Sequence, residues 1–67
     1  MRPYSHINVH DVYRASTGSE WKVVDKDDKE RMIAVVLLAY PGWEPIWKRN
    51  TSNLFNERVL VGKAENL

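Results

Sequence analysis

Sixty-seven residues, with ten Lys/Arg against nine Asp/Glu and 43% apolar side chains, describe one small domain, because a chain this short hides only about 60% of the surface its unfolded form exposes. That leaves little room for both a core and a substrate cleft, which typically measures ~300 Å³ or more, so no enzyme is expected. A net charge of +1 excludes a polybasic surface of the histone kind, and any contact with nucleic acid has to be local.

The chain has no cysteine, which excludes a disulfide framework and a thiolate metal site. Residues 2–6 carry no signal-peptide pattern. The longest apolar run, residues 32–40, falls well short of the ~20 residues a membrane-spanning helix needs. The expectation is a native start at Met1, a reducing cytoplasmic setting and no membrane partner.

In chain order, residues 1–11 mix Pro3, His6, Asn8, His10 and Asp11 without periodicity and read as a flexible N-terminal tail. The domain is expected over residues 12–61, with a C-terminal tail at 62–67. Residues 12–15 and 20–25 read as two strands around the polar turn Ser16, Thr17, Gly18 and Ser19. In the second strand Trp21 and Val23 share one face and Glu20 and Lys22 the other, which places Trp21 in the core. Residues 25–30 hold no apolar side chain and read as a solvated turn.

Residues 29–40 admit two readings. Lys29, Glu30, Arg31, Met32, Ala34, Leu37 and Leu38 suit a helix capped by Asp27 or Asp28, whereas Ile33, Val35, Val36 and Tyr40, closed by Pro41 and Gly42, suit a strand. Strand-like neighbours on both sides decide for the strand, since a lone helix between them would need a longer crossover. The alternative is an α+β arrangement with a helix at 28–40. Residues 43–49 resume an extended pattern with Trp43 and Trp47 on one face and Pro45 marking an edge or a strand start. Asn50 to Asn53 form a turn, Leu54 and Phe55 a short 3-10 turn, and Arg58 to Val61 the last strand. The fold expected is mainly β: a small five-stranded barrel with one 3-10 turn.

Five short strands, a Gly turn after the first, a long central hairpin and a helical turn before the last resemble the layout of an SH3-like barrel. More narrowly, Asp11-Val12-Tyr13-Arg14, then Gly18-x-x-Trp21-x-Val23-Val24, then an apolar strand, then Trp47-Lys48-Arg49 with Leu54-Phe55, is similar to short uncharacterised SH3-like proteins of bacteria and their phages. In those proteins a Tyr and a Gly-x-x-aromatic-x-Val precede a Trp-x-Arg-type segment and a terminal Phe. The resemblance covers residues 11–61. It implies a bacterial or prophage accessory protein without an enzymatic signature, in the bacterial cytoplasm or a host cell, and it supplies no site.

No constellation supports a metal, a cofactor or catalysis. His6 and His10 lack the Glu and the third ligand of a zinc motif, and the acidic stretch lacks the Gly and Glu of a calcium loop. No Gly-x-Ser-x-Gly elbow and no phosphate-binding Gly loop occurs. Two groups of residues carry the functional expectation instead. As a strand, the run puts Ile33, Val35, Leu37 and Ala39 on one face and Met32, Ala34, Val36, Leu38 and Tyr40 on the other, so both faces are apolar. One of them would meet water unless a partner, the N-terminal residues Tyr4, Ile7 and Val9, or a strong curl of the sheet covers it.

The leading expectation is therefore a non-catalytic interaction module that docks on another protein, or on a second copy of itself, through Met32, Val36, Leu38 and Tyr40. The alternative is a nucleic-acid binder using a local patch of Arg14, Lys22, Trp43, Lys48, Arg49 and Arg58, where aromatic rings stack and cations hold phosphate. Tyr13 and Tyr40 belong to the same aromatic and basic group. Trp21 and Phe55 are assigned to the core and Trp43 to the surface, and both readings stay open for Trp47.

Overall fold

β-branched and aromatic residues set five strands in the computed structural model, which describes residues 1–64: β1 (Asp11–Arg14), β2 (Glu20–Asp27), β3 (Met32–Leu37), β4 (Ile46–Arg49) and β5 (Leu60–Lys63). Every pairing is antiparallel and the strand order is β4-β3-β2-β1-β5. The mainly β expectation holds, and residues 32–37 form a strand rather than a helix. β3 runs between β2 and β4, and both neighbours bond its backbone groups. The sheet is open: β4 and β5 are its edges. Instead of a single 3-10 turn there are three among the described residues, at Tyr4–His6, Asn53–Phe55 and Glu57–Val59.

Local chemistry accounts for the turns. Gly18 at φ 90 closes the β1–β2 turn, with the Gly18 N–H on the Ala15 carbonyl at 2.9 Å and the Ala15 N–H on the Ser19 carbonyl at 2.8 Å. At the β2–β3 tip the Asp27 carboxylate accepts the N–H groups of Lys29 at 3.1 Å and Glu30 at 3.3 Å, an Asx turn that satisfies the backbone of the charged stretch. A bulge falls between Val23 and Asp25.

The N-terminal residues are where expectation and structure part. In place of a loose tail, Ile7 is fully buried and Tyr4 is 9% exposed, and both pack with Tyr13, Val23, Ile33, Val35, Leu54 and Phe55. The physical reason is coverage. One small open sheet and a short 3-10 turn leave part of the inner face bare, and Tyr4 and Ile7 close it. Polar contacts fasten the segment. The Arg2 N–H donates to the Phe55 carbonyl at 3.1 Å and the Asn50 side-chain amide to the Arg2 carbonyl at 3.2 Å. The Tyr4 hydroxyl donates to Asp28 at 2.6 Å, while the Lys26 ammonium sits 4.1 Å from the centre of the Tyr4 ring. Nearby, the buried Asp11 carboxylate accepts the Asn8 N–H at 2.9 Å and the Tyr13 hydroxyl at 3.1 Å.

At the other end β5 starts at Leu60 and runs to Lys63, two residues later at both ends than expected, because Arg58 and Val59 lie in the third 3-10 turn, and the Ala64 N–H donates to the His10 carbonyl at 2.9 Å. The rest of the expected C-terminal tail, residues 65–67, lies outside the described residues.

The opposite face of β3 is enclosed too. The register aligns Val12, Lys22 and Val36 in one row, at 5%, 5% and 4% exposure, so the aliphatic stem of Lys22 lies between two valines. Ala34, 1% exposed, stands opposite Trp47 in the ladder, a small residue beside a large one. The four residues from Ile33 to Val36 are therefore covered on both faces by their own chain.

The docked tyrosines make stability sensitive to alkali. Tyr4 ionisation is pushed up to about 12, by burial first, then by its hydrogen bond to Asp28 and the charges of Asp28 and Asp27, with Arg31 acting the other way. Burial also raises Tyr13, and the Asp11 charge and hydrogen bond add to it. Both values lie above the ~10 of an unfolded tyrosine, so the folded state keeps protons that the unfolded state has lost. Stability is thus intact below about pH 10 and falls as the pH rises toward 12. Urea midpoints measured across that window should drop for the native chain and drop less for Tyr4→Phe. A flat profile would show that the segment is not docked.

Candidate functional site

Two surface features collect the chemistry-bearing residues. The first follows β3. The Leu38 N–H donates to the Glu20 carbonyl at 3.0 Å, and the chain then folds tightly, with the Tyr40 N–H on the Leu37 carbonyl and the Trp43 N–H on the Tyr40 carbonyl, each at 3.1 Å. Pro41 and Gly42 occupy the centre of this last turn, so the two rings that flank them meet. Tyr40 and Trp43 stack at 4.3 Å with 12° between planes. Both are exposed, at 51% and 61%, and Ile46 and Trp47 on β4 are exposed at 48% and 47%. Pro45, which has no N–H to donate, immediately precedes β4, and one side of β4 has no neighbouring strand. Four large apolar side chains are thus exposed within residues 40–47, next to a free sheet edge: the stacked pair in the loop, and Ile46 and Trp47 on opposite faces of β4.

This differs from the expected interface. Val36 is enclosed, Met32 and Leu38 are half-buried, and only Tyr40 of the four named residues is exposed. Trp43 is not on a strand with Trp47, because the segment from Pro41 to Pro45 is loop. The sequence did hold the signal for the stacked pair: aromatic residues at the first and fourth positions of a Pro-Gly turn.

The second feature is a groove of about 630 Å³ between the β1–β2 turn and the two 3-10 turns that precede β5. Trp21 and Leu54 form its apolar side, and Lys48 and Arg58 supply two cations. Hydroxyls of Ser16, Thr17 and Ser19 and the amides of Asn53 and Asn56 add neutral polar groups, and no acidic residue lines it among those described. Neither Lys48 nor Arg58 forms an ion pair among the described residues; the ion pair found is Arg14 with Glu20 at 3.0 Å. The Asn56 side-chain oxygen caps the Arg58 N–H at 3.1 Å, which leaves the NH₂ as that amide's remaining hydrogen-bonding group. A smaller recess of about 420 Å³, lined by Arg14, Arg58 and Leu60 among others, adjoins it.

The expected nucleic-acid patch is accordingly not one patch. Lys48 and Arg58 both line the groove, and Arg14, in its ion pair, lines the adjoining recess with Arg58. Lys22 is enclosed between Val12 and Val36, Arg49 points to the opposite face from Lys48 by strand alternation, and Trp43 belongs to the aromatic edge. Trp21, assigned to the core on its strand face, instead has one side on the core and another in the groove.

His6 is exposed, and His10 sits at φ 80 in the turn before β1. Among the described residues no group of three or more His, Asp or Glu side chains is placed to hold a metal ion. No helix among them is long and apolar enough to cross a membrane. Compared with known protein families, curated proteins and solved structures, the chain matches none.

Proposed function

We propose that this chain is a non-catalytic interaction module that docks on protein through its aromatic edge, with a second copy of the chain as the first partner to test. The observation that carries the reading is the exposure of Tyr40, Trp43, Ile46 and Trp47 within eight consecutive residues. Tyrosine and tryptophan are the residues that protein interfaces concentrate, and large exposed rings gathered in one short segment of a small domain support a contact surface there. β4 adds direction. A free edge strand can extend a partner's sheet through backbone hydrogen bonds. In an antiparallel self-pair, the alternation of faces allows Trp47 to meet its copy, with Ile46 opposite Lys48, a register that sets no like charges against each other. The docking surface is thus moved from residues 32–40 to 40–47. An accessory role in a bacterium or phage fits the SH3-like resemblance of residues 11–61.

The double variant Trp43→Ser/Trp47→Ser removes the two largest exposed rings, while Trp43→Ser alone leaves the cover that Trp47 gives Ala34 in place. Trp43→Ser should melt like the native chain and the double variant somewhat lower but still cooperatively, and the double variant should lose self-association in sedimentation equilibrium and retain no protein from a nuclease-treated lysate that the native chain retains. A native chain that stays monomeric at millimolar concentration, together with capture indifferent to the double variant, would overturn the reading.

A further inference from the structure

We infer that the groove between the β1–β2 turn and the 3-10 turns before β5 is a second, separate site, and that it takes a short stretch of single-stranded nucleic acid. The inference does not rest on the aromatic edge: Tyr40, Trp43, Ile46 and Trp47 do not line the groove, to which β4 contributes Lys48 alone. Its volume of about 630 Å³ is ample for a nucleotide-sized ligand. Lys48 and Arg58 come from different elements, and neither is neutralised by a described carboxylate, so the groove selects an anion. Trp21 then decides the kind of anion. An indole beside two cations offers a stacking surface for a base whose phosphates the cations hold, and an unpaired base alone has a free face to give it. A duplex keeps its bases stacked inside, and an acidic peptide has no ring to place on Trp21. The hydroxyls and amides along the rim donate to phosphate and sugar oxygens without choosing a sequence.

The test measures binding of labelled oligo-dT and oligo-rU over a range of salt. Two phosphate contacts on a single strand predict a log–log slope of about −1.4, and each of Lys48→Gln and Arg58→Gln should lower its size by about 0.7. Trp21→Leu should weaken binding roughly tenfold with the slope unchanged. Because the two Gln changes are at the surface, the test stands even if the Trp21 variant is unstable. Oligo-dT and oligo-rU should compete with each other, and neither duplex DNA nor polyglutamate should displace them. The Trp43→Ser/Trp47→Ser variant should bind the oligonucleotides as the native chain does. No binding at low salt, a slope untouched by both Gln variants, equal competition by duplex or polyglutamate, or loss of binding on changing the aromatic edge would each overturn the inference.

Discussion

Ile7→Ala is expected to lower the stability of this domain by about 2–5 kcal/mol, the usual cost of emptying a fully buried aliphatic site. Domains carry about 0.05–0.15 kcal/mol per residue, so a chain of this length has only roughly 3–10 kcal/mol in total, and the variant forfeits a large share. The reason is positional. Ile7 lies outside the sheet, and it closes the inner face over Ile33 and Val35 in the same cluster. In a urea melt the midpoint should fall steeply, while Ser5→Ala, at an exposed neighbour, should leave it in place. An unchanged midpoint for Ile7→Ala would mean that the first residues do not pack against the sheet.

Phe55→Ala should cost about 3–5 kcal/mol and, in a domain this small, leave the chain largely unfolded at room temperature. The ring is fully buried and meets Tyr13 edge to face at 5.1 Å between centroids. It also belongs to the segment whose carbonyl receives the Arg2 N–H, so the core and the N-terminal attachment loosen together. Phe55→Leu keeps most of the volume and should cost clearly less. Ile7 and Phe55 share one cluster, so combining the milder Ile7→Val and Phe55→Leu should cost less than the sum of the two, and circular dichroism melts of the four folded chains measure that coupling.

Much of the fold was legible because its signals are local. Gly18 between polar residues marks the first turn, and Leu54-Phe55 behind a Ser-Asn pair returns as a 3-10 turn whose Ser52 hydroxyl accepts the Leu54 N–H at 3.4 Å; of the charged run from Asp25 to Glu30 only the second half is turn, because Asp25, Lys26 and Asp27 extend β2 in register with Ala34, Ile33 and Met32. The N-terminal segment was legible only as one option: Tyr4, Ile7 and Val9 could be named as a cover for β3, against the reading of a loose tail. Tyr4 and Ile7 stand singly among polar residues, and only the bare inner face of an assembled sheet decides between the two. The same holds for Val36. Its enclosure depends on Lys22 lying beside it across the ladder, a neighbour set by strand register. Composition identified the aromatic and basic residues, whereas topology sorted them. Lys48 and Arg58 went to one groove with Trp21, and Trp43 and Trp47 went to the edge. Alternation within a single strand could not show that Trp43 turns back onto Tyr40.

The three tryptophans report on these surfaces separately, since Trp43 and Trp47 lie on the edge and Trp21 in the groove. The decisive measurement is the set of indole N–H resonances, followed as the protein is raised from micromolar to millimolar concentration and, at fixed concentration, as captured partner protein is added. The docking proposal predicts that the Trp43 and Trp47 signals shift or broaden in at least one of these titrations while Trp21 keeps its position. Edge signals that hold still in both, or a Trp21 signal that moves in their stead, would contradict it.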